Sequence, residues 1–73
     1  MTDKTQKRSV TIAGHRTSVS LEAEFWRALA EIAAESNRPL ARLIDEIDKR
    51  QGRAKNLSSA LRLYVLAHYR KKG

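Results

Sequence analysis

Arg16-Thr17-Ser18-Val19-Ser20-Leu21 alternates polar with apolar-compatible side chains, and a two-residue repeat is the signature of a β-strand. Thr17, Val19 and Leu21 share one face. Arg16, Ser18 and Ser20 share the other, which therefore presents a planar fork of donors followed by two hydroxyls. A strand this short cannot satisfy its own backbone amides and carbonyls, and everything downstream of it has helical spacing, so it needs a partner strand. Residues 9–13 can fold back as a hairpin, or the same strand of a second copy can pair with it. The second copy is the expected partner, because of the last helix described below.

Upstream, residues 1–8 are polar and charged without periodicity and read as a flexible basic arm. In residues 9–13, Val10 and Ile12 alternate with Ser9 and Thr11, again an extended pattern. Val10 and Ile12 have the same parity as Arg16, Ser18 and Ser20, so one unbroken strand would put two branched aliphatics on the polar face. Gly14 is placed to reset the alternation, as a bulge or a turn.

Downstream, three helices are predicted, over residues 21–36, 39–49 and 57–70. Ser20 is the expected N-cap of the first, with Glu22 and Glu24 in its opening turn. Phe25, Leu29, Ile32 and Ala33 form its apolar stripe with Trp26 alongside, read as packing, and Glu24, Arg27, Glu31 and Glu35 lie opposite. Asn37-Arg38-Pro39 ends the pattern, Asn suiting a left-handed C-cap and Pro the first turn of a new helix. Leu40, Leu43, Ile44 and Ile47 give the second helix its apolar face. Residues 50–56 read as a loop. In the third helix, with Asn56 or Ser58 as cap, Leu57, Leu61, Tyr64, Val65 and His68 line one side. Leu63, Leu66 and Ala67 widen the apolar surface beyond one stripe, so its second side is expected to meet another subunit.

Composition narrows the function. At 73 residues the chain is one domain, of a size that buries only about 60% of its unfolded surface. It has no cysteine, so disulfides and thiolate metal sites are excluded and oligomerisation is the remaining way to enlarge the core. The N-terminus lacks the apolar core of a signal peptide and no run is long enough for a membrane span, which predicts a soluble, cytoplasmic protein. The net charge of +7 is uneven. Residues 1–20 carry Lys4, Lys7, Arg8 and Arg16 against Asp3, residues 21–48 are net acidic, and residues 49–73 hold eight cations and no acid. A polyanion would be met by the two ends. With His15 and His68 as the only histidines and no Gly-rich phosphate loop, neither enzyme, metal nor cofactor is expected. A membrane-surface role for the last helix is disfavoured, because its cations do not form one face.

The order of basic arm, polar-faced strand and amphipathic helices resembles the ribbon-helix-helix DNA-binding proteins. More narrowly, residues 8–22 (RSVTIAGHRTSVSLE), Phe25-Trp26 and residues 56–62 (NLSSALR) are similar to a small bacterial subgroup with an added C-terminal helical segment; the likeness covers residues 8–70. The implied fold is mostly α with one short β-strand: an intertwined homodimer with an intermolecular antiparallel two-stranded ribbon and a third helix, residues 9–73 forming the single domain. The implied function is sequence-specific binding of double-stranded DNA, with the ribbon in the major groove, by a transcriptional regulator associated with the nucleoid when bound. The resemblance puts Arg16, Ser18 and Ser20 on base edges, and the chemistry agrees, since arginine can fork onto guanine O6 and N7 and hydroxyls can donate or accept. It places the second helix's start, Arg38, Pro39, Leu40, Ala41 and Arg42, on flanking phosphates, although the start of the third, preceded by Arg53 and Lys55, is a rival anchor. Lys4, Lys7 and Arg8 would add backbone contacts. Thr17, Val19, Leu21, Phe25, Leu29, Leu43, Ile44, Ile47, Leu61 and Val65 would form the dimer core. The alternative is an antitoxin-like module with a protein partner docked on the third helix.

Overall fold

The computed structural model describes residues 5–50 and 56–72, and in it two strands precede three helices: β1 (Thr5–Ile12), β2 (His15–Glu22), α1 (Ala23–Glu35), α2 (Leu40–Arg50) and α3 (Leu57–Lys72). The strands pair antiparallel from Thr5 opposite Glu22 to Ile12 opposite His15. Ala13 and Gly14 join them with φ of 53° and 81°, the two positive values that a type I′ hairpin turn needs to match the right-handed strand twist. Gly14 therefore resets the alternation as a turn, and of the two pairing schemes the structure contains the hairpin, where the sequence reading expects a strand from a second copy; β1 takes one edge of β2, and among the described residues the other edge has no strand beside it. Thr5, Gln6, Lys7 and Arg8 are correspondingly strand residues, not a flexible arm; the rest of that arm lies outside the described residues.

The register brings Gln6, Arg8, Val10 and Ile12 to the same side as Leu21, Val19, Thr17 and His15. Ile12, Val19 and Leu21 are buried on this side, and Val10 packs beside them. Trp26 closes it. Its indole is buried, Nε1 donates to the Gln6 carbonyl at 2.8 Å, and the Arg8 guanidinium sits 5.0 Å above the ring. The tryptophan thus packs, as its place beside the stripe predicts, and it also supplies β1 with a donor from the first helix.

Helix α1 starts two residues later than expected. Pairing continues to Glu22, so the backbone stays extended there, and Ser20 is a strand residue whose carbonyl accepts from Ser58 Oγ at 3.0 Å instead of an N-cap. At the other end Asn37 is left-handed (φ 57°), the Arg38 N–H donates to the Ala33 carbonyl at 3.0 Å and the Asn37 N–H to that of Ala34 at 3.1 Å, a Schellman arrangement that satisfies the last carbonyls. The Pro39 carbonyl accepts the first N–H groups of α2, from Arg42 and Leu43. Asn56 caps α3, its Oδ1 accepting from the Ser59 N–H at 3.1 Å.

Ile12, Val19, Leu21, Trp26, Leu29, Ile32, Leu43, Ile44, Ile47, Leu61 and Val65 make one buried cluster to which every element contributes, and Phe25 leans on it. Thr17 is half-buried. The residues expected to form a core between two copies therefore fill the core of a single chain. Leu63 and Leu66, expected on a covered side of α3, stand on the surface.

Candidate nucleic-acid interface

The hairpin's other side is a polar platform. Lys7 stands opposite Ser20, Ser9 opposite Ser18 and Thr11 opposite Arg16, and all six are exposed except the half-buried Ser20. Cross-strand neighbours lie about 5 Å apart and the four-residue step from Lys7 to Thr11 covers about 13 Å. The platform holds an ammonium, a guanidinium and four hydroxyls, with no carboxylate among the six. The nearest acid in the register is Glu22 at the open end, and it is already engaged: Arg62 Nε donates to its Oε1 at 3.0 Å and the terminal nitrogen to Oε2 at 3.1 Å. Glu22's own backbone N–H and this guanidinium hold its carboxyl below the usual carboxylate range. The Arg62 guanidinium also lies 5.8 Å from the Phe25 ring centroid, so α3 clamps the junction of β2 and α1.

Arg16, Ser18 and Ser20 share one face, as their alternation requires. Ser9 and Thr11 join them, two residues to which the sequence reading gives an extended backbone but no role. Their signal lies in the turn: once residues 13–14 form a two-residue loop, odd positions of the first strand face the same way as even positions of the second. Lys7 joins the platform instead of a trailing arm, while Arg8 points to the opposite side over Trp26 and is separated from it. Hairpin and helices are locked at the tip, where the Ala13 N–H donates to Asp45 Oδ1 of α2 at 3.2 Å.

At the start of α2, Leu40 is half-buried, Pro39, Ala41 and Arg42 are exposed, and Arg38 is half-buried in an ion pair with Glu46. The first N–H groups of a helix lack intrahelical partners and suit an anion. Arg38 is thus tied down within the protein, leaving Arg42 as the more available cation. Lys4, Arg53 and Lys55 fall outside the described residues. His15 lies on the inner side at the exposed tip, and His68 Nε2, buried, is 3.5 Å from Glu35 Oε1 without a hydrogen bond. Among the described residues no three His, Asp or Glu side chains gather as a metal site, and no helix is long and apolar enough to cross a membrane.

Residues 5–69, which span the hairpin and all but the end of α3, match the family described as Ribbon-helix-helix domain. The chain belongs to the ribbon-helix-helix family. Its members are generally DNA-binding transcription regulators or antitoxins, and they dimerise. Among solved structures the chain is similar to an uncharacterized protein from Bordetella pertussis Tohama I, at 36% identity and a TM-score of 0.78, over 89% of this chain and 55% of that one. This ribbon-helix-helix chain thus spans about half the length of that relative. No curated protein matches it.

Proposed function

We propose that this ribbon-helix-helix protein binds double-stranded DNA as a homodimer, laying the hairpin's polar platform in the major groove to read sequence, and regulates transcription. The observation that carries the reading is the platform itself, two strands wide, cationic at diagonal corners and lined by hydroxyls. A two-stranded ribbon fits the roughly 12 Å major groove, whose base edges offer the acceptors and donors those groups need. Arg16 supplies the bidentate contact that favours guanine; Ser9, Thr11, Ser18 and Ser20 read neighbouring edges; Lys7 reaches an edge or the groove's rim. The amides of Leu40 and Ala41 with Arg42 hold flanking phosphates, and Lys4, Arg53 and Lys55 add charge.

Selection of bound sites from a random duplex pool, followed by affinity measurements with Arg16 variants, tests this. A guanine required in the selected sites that is lost with Arg16 supports the reading; a pool that shows no enrichment refutes it. The antitoxin branch of the family supplies the second reading, favoured by the exposed leucines of α3 as a docking surface for a protein partner.

A further inference from the structure

The run Asn56-Leu57-Ser58-Ser59-Ala60-Leu61-Arg62 opens α3, and four of its side chains have plain tasks in folding: Asn56 caps the helix, Ala60 and Leu61 are buried, and Leu57 packs on the core. Ser58 and Arg62 do something else. Spaced four apart on the side of α3 that carries the buried Leu61 and Val65, they meet the hairpin at one place, the open end of β2. Ser58 Oγ donates to the Ser20 carbonyl at 3.0 Å, and the Arg62 guanidinium donates to both carboxylate oxygens of Glu22, at 3.0 and 3.1 Å.

Holding the chain folded is a poor use of such contacts. The Arg62 and Glu22 side chains are 36% and 32% exposed, and ion pairs in contact with water add little to stability. What a two-bond fork does supply is direction, because both oxygens must meet the edge of a planar group. The bond to the Ser20 carbonyl acts on the platform itself, since it fixes the peptide beside the carbon from which the Ser20 hydroxyl projects. The hairpin is also held elsewhere: Trp26 Nε1 of α1 donates to the Gln6 carbonyl on β1, and Asp45 of α2 accepts from the Ala13 N–H at the tip. Three helices thus grip three corners, and the corner gripped by α3 is on the strand that carries Arg16, Ser18 and Ser20.

We propose that Ser58 and Arg62 are positioning residues for base reading: α3 sets the height and tilt of the platform's open end, so that the hydroxyls of Ser20 and Ser18 meet base edges at hydrogen-bonding distance. The inference rests on the DNA reading above and deepens it at one end of the platform. Residues of a strand rise about 3.3 Å each, so Ser18 lies about 7 Å and Arg16 about 13 Å along β2 from Ser20. The effect is therefore graded. Loosening the hold of α3 costs discrimination at the bases under Ser20 and Ser18 and spares the guanine under Arg16, next to the tip.

The paired replacement Glu22→Gln/Arg62→Met tests this, since it breaks the fork, keeps an apolar stem beside Phe25 and leaves the net charge unchanged. Sites are selected from a random duplex pool with the natural chain and with the variant. Affinities for the natural chain's site and for a scrambled duplex are then measured across salt, well below the melting temperature. The scrambled duplex should be bound within about twofold and with the same salt slope, and the natural site roughly 2- to 10-fold more weakly, the worth of one neutral hydrogen bond. The variant's selected sites should keep the guanine and lose preference at the positions farthest from it. Glu22→Gln alone supplies a sign: removing an anion beside the platform should by charge tighten every duplex alike, whereas loss of positioning lowers the ratio of natural to scrambled affinity. Ser58→Ala, which deletes one hydroxyl and no charge, should lower the same ratio and carries the test should the paired replacement cost the fold; Arg62→Lys, which keeps the charge and a donor, should restore part of it. A ratio unchanged in both the paired variant and Ser58→Ala, an equal loss on both duplexes, or loss of the guanine along with the rest overturns the proposal. A natural chain that enriches no site overturns the DNA reading with it.

Discussion

Replacing Arg16 by lysine is the sharpest perturbation of the polar platform, because it separates shape from charge. Arg16 is exposed, sits opposite Thr11 on a face without acids, and makes no ion pair to a described residue, so the change neither opens the core nor strands a buried carboxylate. Both residues carry +1. One phosphate-type contact contributes a log-log salt slope of about 0.9, equivalent to roughly fivefold in affinity between 1 M and 0.15 M salt. Lysine keeps that contribution, and binding to random duplex should be unchanged within about twofold. What it loses is the planar fork. A bidentate guanidinium–guanine pair discriminates by about 1–3 kcal/mol, which is roughly 5- to 150-fold in dissociation constant. Arg16→Ala should lose the fork and the charge together, a larger drop on the selected site and several-fold on random DNA. Fluorescence anisotropy on a selected and a scrambled duplex, each titrated across salt, measures all four numbers. If lysine binds the selected site as tightly as arginine, or if alanine weakens both duplexes equally, Arg16 acts only as a charge and the base-reading argument fails.

Two further outcomes follow from the hairpin and its clamp. Gly14→Ala should cost about 1–2 kcal/mol in urea melts, purely from backbone strain, since φ is +81° and an added Cβ would meet nothing within 4 Å; Ala13→Gly at φ 53° should instead be neutral or stabilising by less than about 1 kcal/mol, strain relief being offset by a freer unfolded chain. The Glu22 carboxyl titrates below its ordinary value in the folded state, so its clamp contributes stability at neutral pH that is lost as the solution is acidified through the carboxylate range; Glu22→Gln should flatten the acid limb of the stability profile, and an unchanged limb would show that the Arg62 contact contributes nothing.

Most of the fold is legible in the sequence because its signals are local. The alternation of residues 16–21, the stripe Phe25, Leu29, Ile32, Ala33, the left-handed Asn37 and the capping Asn56 each follow from a short-range rule, and each occurs where that rule puts it. What stays hidden depends on a choice between near-equal alternatives. A strand's hydrogen bonds do not record whether the partner strand is covalently connected, and Ala-Gly is a weaker turn signal than Asn-Gly because alanine is strained at positive φ. Without the hairpin, Lys7, Ser9 and Thr11 cannot be placed on the platform, Arg8 cannot be moved off it, and the helix start slips back to Ser20. The engagement of Arg38 is hidden for another reason: its pairing with Glu46 spans a turn and two helical turns, a reach no periodicity reports.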